Sequence, residues 1–294
     1  MKDTQGYTLM HEHLTIDLSG VKQTDDCRLD CFDQTVEEFR ALYQHQVRRV
    51  VDVTNCGMGQ NPEYAEKIGQ LTGIEIVHAT GFYKEPFLPQ QVYEQTPEQL
   101  ADFMVKELRS GIGTSNIKAG IIGEIGTSKD MMTELEAKLF EAACIAQRQT
   151  NASIYTHTTL GTYALEQVQF FKERQIPLDR VIIGHIDLRD DLAYILRVLE
   201  TGVTVGFDTI GKLNYVPDEN RVSYLKEIAA RGFASQVVLS LDLTRKSHLK
   251  YKEGIGYSYL FTHFIPMLKK AGIHQDTIDT WLITNPQRLL GGLL

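Results

Sequence analysis

Residues 154–157 read Ile154-Tyr155-Thr156-His157, and residues 181–185 read Val181-Ile182-Ile183-Gly184-His185. Both are short runs rich in β-branched and aromatic residues, the composition of a buried strand. Between them, residues 163–174 carry a helical pattern. Two neighbouring strands joined through a helix run parallel, and a parallel strand packed on both faces is apolar throughout. The stretch therefore predicts one strand–helix–strand unit, and each of its strands ends in a histidine.

The unit repeats in both directions. Toward the C-terminus, a helix at 192–199 leads to a strand at 203–207, then a long loop and a helix at 222–230. Val237-Val238-Leu239-Ser240-Leu241-Asp242 is the last strand, with closing helices at 259–270 and 277–290. Toward the N-terminus, Thr133 and Glu136 box the start of a helix striped by Leu135, Leu139, Ala142, Ala143 and Ala146. A strand at 119–125 precedes it. Thr96-Pro97-Glu98-Gln99 opens another helix, striped by Leu100, Phe103, Met104 and Leu108 and ended by Gly111. Strands at 74–80 and 47–54 flank a helix at 61–71 that Gly73 closes. The first strand is Tyr7-Thr8-Leu9-Met10, followed by an irregular stretch at 20–30 and a helix at 34–46.

Eight such units in 294 residues, with no linker or low-complexity segment, predict an α/β fold. The architecture expected is a single-domain (β/α)8 TIM barrel over residues 1–294, a fold whose usual length is about 250 residues. A doubly wound open sheet lacks support, because no Gly-rich phosphate fingerprint follows the first strand.

Hydrophobic content of 43% and charged content of 23% are those of a soluble globular protein. A net charge of −8 repels nucleic acid and anionic membranes, leaving a small-molecule substrate as the expected partner. A homo-oligomer is compatible with this composition. An anionic ligand would need a local basic cluster. Met1-Lys2-Asp3 runs almost directly into the first strand, leaving no room for a signal core. No apolar run reaches the length of a membrane span. Cys27, Cys31, Cys56 and Cys144 form no CxxC pair, so a reduced, cytoplasmic protein is expected.

Barrel active sites lie at the C-terminal ends of the strands. Those positions hold His11 and His13, Glu124, His157, His185 and Asp242. Side chains alternate along a strand, so His11 and His13 share a face while Glu12 points away, the two imidazoles about 7 Å apart. Taken alone, His-x-His reads more readily as two surface or core histidines. Its company changes the reading: four of the nine histidines in the chain end an apolar run. Satisfied polar caps would have to be invoked at all six positions. Nitrogen and carboxylate donors without thiolate suit Zn²⁺, with Mn²⁺, Co²⁺ or Fe²⁺ as alternatives. Six donors exceed one tetrahedral zinc, which points to two divalent ions and a bridging carboxylate. Such a pair produces hydroxide near neutral pH.

His11-x-His13, Glu124, Gly184-His185, Asp242 and the terminal Asn285-Pro286-Gln287-Arg288-Leu289 together resemble the phosphotriesterase family of the amidohydrolase superfamily. The resemblance spans essentially the whole chain. It implies one metal on His11, His13 and Asp242, a second on His157 and His185, and a strand-four side chain between them. Two departures stand out. Phosphotriesterase bridges its metals with a carbamylated lysine, whereas this chain has Glu124, and Lys118 lies six residues earlier at the wrong end of the strand. Phosphotriesterase also carries a histidine after its strand-seven aspartate, whereas Asp208 is followed by Thr209. Similar sites occur in lactonases, some acting on phosphorylated sugar lactones.

The function implied is hydrolysis of an ester bond, in the first place that of a sugar or phospho-sugar lactone. A hydroxide held between the metals would attack, and Asp242 would carry its proton to the leaving group. Phosphotriesters and other carboxylesters are alternatives, as is a non-catalytic metal- or carbohydrate-binding barrel. Tyr83, at the end of strand three, reads either as a group beside the metals or as a packed rim aromatic. Arg245 and Lys246 follow Asp242 on the last loop, where barrels bind phosphate, and His248 is close by. Arg28 on the first loop is a further anion clamp, against the plain reading of an exposed arginine. Asp187 and Asp208 are expected to orient histidines or loops.

Overall fold

In the computed structural model, which describes residues 6–291, the predicted alternation closes on itself. Eight parallel strands follow one another in chain order: β1 (Tyr7–Glu12), β2 (Val47–Asp52), β3 (Glu75–Thr80), β4 (Ala119–Thr127), β5 (Ile154–Thr158), β6 (Val181–Gly184), β7 (Thr204–Phe207) and β8 (Val237–Leu239). Outside them lie α1 (Phe32–Gln44), α2 (Pro62–Thr72), α3 (Pro97–Arg109), α4 (Glu134–Thr150), α5 (Ala164–Glu173), α6 (Leu192–Leu199) and α7 (Asp218–Ala230). This is the (β/α)8 barrel. Met1-Lys2-Asp3 lies outside the described residues, and among those described no helix is long and apolar enough to cross a membrane.

The local signals act as the sequence suggests. Both capping boxes form, at Thr96–Gln99 and Thr133–Glu136, and Gly73 ends α2 with φ 79°, a conformation glycine adopts without Cβ strain. Inside the barrel, Met10, Val51, Ala79, Ile121, Tyr155, Ile182 and Val238 meet in one buried cluster, drawn from seven of the strands. The remaining strand, β7, contributes Gly206, where any side chain would collide with the Tyr155 hydroxyl and Asp208. The tyrosine fills the space the glycine leaves.

The closing helices differ from expectation, and proline is the reason. Residues 259–270 form a wide π-type turn, Leu260–Phe264, before α8 (Ile265–Lys270), whose second residue is Pro266. The same happens at Thr280–Thr284 before α9 (Asn285–Leu290), which contains Pro286. Proline supplies no N–H and its ring crowds the preceding turn, so the turn opens instead of breaking. The helix α9 then plugs the floor of the barrel. Asn285 Nδ2 donates to the carbonyls of Ala234 (2.9 Å) and Val237 (2.7 Å), and Leu289 joins the interior cluster. Arg288 reaches Thr204 Oγ1 (3.1 Å) and the carbonyls of Asp179 (2.9 Å) and Ser235 (3.1 Å). The Asn-Pro-Gln-Arg-Leu motif therefore seals the end of the barrel away from the histidines.

The stretch read as irregular contributes to a small flap. Ile16–Asp17 pairs antiparallel with Arg28–Leu29, so the first loop stands as a ribbon at the mouth of the barrel. Between the last and first strands there is no regular ladder among the described residues.

Candidate metal centre

At the C-terminal ends of the strands, the six predicted donors converge. His157 lies in β5 and Glu124 in β4, while His185 directly follows β6 and Asp242 comes three residues after β8. Both His185 (φ 56°) and Asp242 (φ 53°) adopt left-handed backbone conformations, which cost non-glycine residues about 1 kcal/mol or more. Their amides are held in return: His185 N donates to Asp208 Oδ1 (2.9 Å) and Asp242 N to the His11 carbonyl (3.3 Å). Glu124 is central. Its Oε2 lies 3.0 Å from His157 Nδ1 and 3.3 Å from His185 Nε2, while its Oε1 lies 3.4 Å from His13 Nε2. Asp242 Oδ1 lies 3.3 Å from His13 Nε2 and 3.6 Å from His11 Nε2. Within 4.8 Å of one another fall the donors of His11, His13 and Glu124, those of His11, His185 and Asp242, and those of Glu124, His157 and His185. Glu124 faces both histidine pairs.

The site fits a pair of divalent cations. Both ring nitrogens of His11, and Nε2 of His13, are buried with no hydrogen-bond partner, a costly arrangement that ions coordinated by one nitrogen of each ring would relieve in part. The tautomers agree. Thr54 Oγ1 donates its proton to the Thr15 carbonyl (2.8 Å), so towards His13 Nδ1 (2.8 Å) it accepts, and Nε2 keeps its lone pair for the cluster. His185 Nδ1 is likewise engaged by Asp208 Oδ1 at 2.8 Å, leaving Nε2 toward Glu124.

The electrostatics describe a site that demands positive charge. Burial opposes the Glu124 charge, yet the four imidazoles of His11, His13, His157 and His185 hold its carboxyl well below the usual range. Burial likewise opposes the Asp242 charge, but Lys212, His11 and His13 hold it well below normal. Burial disfavours protonated His13, but Asp242 and Glu124 outweigh this and lift it to about 9. His157, buried beside His185, is driven down to about 4. The buried carboxylates thus draw protons onto their neighbours, the role that metal cations would take over.

Behind the ligands lies a fully buried ionic network. Asp208 Oδ2 accepts from the Tyr155 hydroxyl (2.7 Å). Asp187 accepts from the amides of Asp208 (3.3 Å) and Thr209 (3.2 Å) and from Arg221 Nε (2.8 Å). Arg221 also reaches Asp218 Oδ1 (2.9 Å) and the Val216 carbonyl. Asp187 and Asp208 do orient a histidine and a loop, and Arg221, which nothing local in the sequence singles out, ties them to α7.

Above the donors opens a cavity of about 540 Å³. Tyr83 lines it, its hydroxyl 3.4 Å from both ring nitrogens of His157, so it stands across the ring rather than on one lone pair. Of the three basic residues expected at the substrate, only Arg245 lines the cavity, 3.6 Å from Asp26 Oδ2. Lys246 turns to Asp25 (2.8 Å) and Asp30 (3.5 Å), and Arg28 pairs with Asp30 (3.0 Å). Neither lines the cavity, against expectation: carboxylates of the acidic first loop take both charges, Lys246 clasping the last loop to the first and Arg28 pairing within the first loop itself. Ser247 completes the clasp with two bonds to Asp26 at 2.8 and 2.7 Å. Sequence reasoning missed Lys212, whose ammonium contacts Asp242 Oδ2, and the cavity-lining Lys22 and Lys84. Lys84 and Lys212 are lone lysines on loops, Lys22 ends a one-turn helix, Ser19–Lys22, and no spacing marks any of them.

Lys118 is exposed just before β4, at the opposite end of that strand from Glu124. Carbamylation needs an amine, which Glu124 lacks. Metal-free protein given Zn²⁺ in CO₂-depleted buffer is therefore expected to take up two ions per chain as fast as in added bicarbonate. Elemental analysis over time checks this, and a bicarbonate requirement would contradict it.

The profile of the phosphotriesterase family matches residues 2–290. The phosphotriesterase homology protein of Escherichia coli (strain K12) is 45% identical over 286 residues, 97% of this chain and 98% of that one. Its crystal structure, complexed with phosphate in the active site, matches with a TM-score of 0.96 over 98% of this chain and 99% of that one. The N-acetyltaurine hydrolase of Dictyostelium discoideum is 33% identical, over 92% of this chain and 76% of its own length. The structure of a lactonase from Listeria monocytogenes, 28% identical, gives a TM-score of 0.93 over 98% of this chain and 95% of that one.

Proposed function

Since the chain belongs to the phosphotriesterase family, we propose that it is a two-metal hydrolase of a cyclic ester, a sugar lactone carrying a phosphate-like anion. Residues 1–294 would form its one catalytic domain. The observation that carries this reading is that cations and candidate metal ligands share one cavity: Lys22, Lys84, Lys212 and Arg245 line the walls above His13, Glu124, His157, His185 and Asp242. Divalent ions held there, Zn²⁺ in the first place, would polarise the carbonyl and lower the pKa of water.

The protein's own groups do the rest. Glu124 holds the two histidine sets at a fixed separation. Asp242 turns Oδ1 to His11 and His13, and Oδ2 to Lys212 on the cavity side. A carboxylate so placed takes the proton of the attacking water and passes it to the leaving alkoxide. The Tyr83 hydroxyl, pushed well above its usual pKa by burial and by Glu124, stays protonated and serves as a hydrogen-bond donor toward substrate. The wall cations orient a remote anionic group, and that binding energy aligns the carbonyl for attack. The phosphate in the Escherichia coli protein's active site supports an anion there.

A second reading has support from the Dictyostelium relative, an N-acetyltaurine hydrolase: an amide whose sulfonate would suit the same cations. One panel separates the two. Phosphorylated and unphosphorylated forms of one sugar lactone, and N-acetyltaurine, are compared on wild type, Arg245→Ala and Lys84→Met. Loss of one charge-assisted contact costs about 1.5–3 kcal/mol, so each variant is expected to lose about ten- to a hundredfold in kcat/KM on the phosphorylated lactone. The unphosphorylated form should change little. Equal losses on both, or a wild-type preference for the neutral lactone, would remove the anion site. Turnover of N-acetyltaurine alone would favour the second reading.

A further inference from the structure

We propose that Glu12, the middle residue of His11-Glu12-His13, is a positioning residue that closes the β8–β1 seam and sets Asp242 against the two histidines. The proposal deepens the metal-centre reading and rests on it for its consequence, but not for its geometry.

The seam is the one junction of the barrel without a regular ladder among the described residues. What joins the strands there is a short set of bonds, and Glu12 is their centre. Its Oε1 accepts from Ser240 Oγ (2.8 Å) and from the Leu241 amide (2.8 Å), and its Oε2 accepts from the Leu243 amide (3.2 Å). Ser240 Oγ in turn accepts from the His11 amide at 3.0 Å. Glu12 is fully buried, and its carboxylate is met by two amides and a hydroxyl rather than by a cation. The two amides belong to the residues on either side of Asp242. A carboxylate gripping both flanks fixes the turn that presents Asp242 in its left-handed conformation. Strand alternation then explains the motif: the outer residues face the cavity as histidines, and the inner one faces the seam as an acceptor-only group.

Glutamine is the discriminating substitution, because it keeps the shape but turns one acceptor into a donor. In Glu12→Gln the new amide nitrogen must oppose the Leu241 and Ser240 donors or the Leu243 amide. Two measurements read the outcome. The first is hydrogen exchange of the metal-free protein, where protection of the Leu241 and Leu243 amides should fall at least tenfold while the Val238 amide keeps its own. The second is titration with Co²⁺ followed by its visible spectrum. Removing a group that orients a ligand typically costs about 10–100-fold in metal affinity. The loss should fall on one ion, with the other bound as in wild type. Unchanged exchange at Leu241 and Leu243 would overturn the proposal. So would equal weakening of both ions together with loss of protection throughout β8, which would mark a merely structural residue. Should wild type bind no Co²⁺, the metal reading fails and the exchange result alone decides the brace. If Glu12→Gln does not fold, Ser240→Ala, which removes one donor to Oε1, is read by the same criteria with smaller effects.

Discussion

Asp242→Asn is expected to lower kcat on the best lactone substrate by about 10²–10⁴-fold, the range general acid–base groups contribute. Asparagine keeps the size and one oxygen of the side chain but cannot carry a proton. Asp242 Oδ1 faces His13 at 3.3 Å, so the same change also touches the metal ligand set. Metal content must therefore be measured beside the rate. With two ions retained, the loss should grow as the leaving alcohol becomes less acidic, because a poor leaving group depends most on the donated proton. A loss under tenfold with full metal content would mean another group moves the proton. His248 would then be the residue to examine. It lines the same cavity, with its Nδ1 accepting from the Thr244 amide at 3.1 Å.

The largest expected effect on stability comes from Arg221→Met. The guanidinium is fully buried and pairs with Asp187 at 2.8 Å and Asp218 at 2.9 Å. Removing one partner of a buried ion pair leaves uncompensated charge and typically costs about 3–5 kcal/mol. Urea unfolding at neutral pH should show a loss of that size. Its pH dependence has a definite sign. Burial already raises the Asp187 pKa against the pull of Arg221, so without the guanidinium the ionisation of Asp187 opposes folding more strongly. The gap to wild type should be widest at neutral pH and narrow as pH falls into the carboxylate range. A gap below 1 kcal/mol, or one that widens in acid, would show that the network is not held by the arginine's charge.

The barrel was legible because its signal is local and repeated. Each strand is a short β-branched run, each helix carries its own stripe and caps, and the six donors mark strand ends. The donor positions needed no knowledge of tertiary contacts, since the fold itself brings strand ends together. Arg28 is taken up by its near neighbour Asp30, but the other misread residues depend on partners far away in the chain. Lys246 looked like half of an anion site until its partner Asp25, 221 residues away, came beside it. Lys212 sits on a loop whose course depends on Thr209 and Val216 contacting Arg221. The role of Glu12 depends on amides in β8's extension, 229 and 231 residues later. The opened turns before Pro266 and Pro286 were local, yet periodicity alone reads through a proline that the helix accommodates by widening.

The clasp of Asp25, Asp26 and Asp30 with Arg245, Lys246 and Ser247 bears on how this enzyme can vary. Loops over a barrel mouth are usually treated as independent modules, exchanged one at a time to alter specificity. Here the first and last loops share their charges. A change at Asp26 strands Arg245 beside the cavity and deprives Ser247 of its partner, and a change at Arg245 leaves Asp26 held by Ser247 alone. Residues within one such network do not contribute additively. A library that randomises either segment alone would mostly sample broken pairs, while one that draws both together would sample working alternatives. Residues 25–30 and 245–247 are therefore one heritable unit, divided in the gene and joined only in the folded chain.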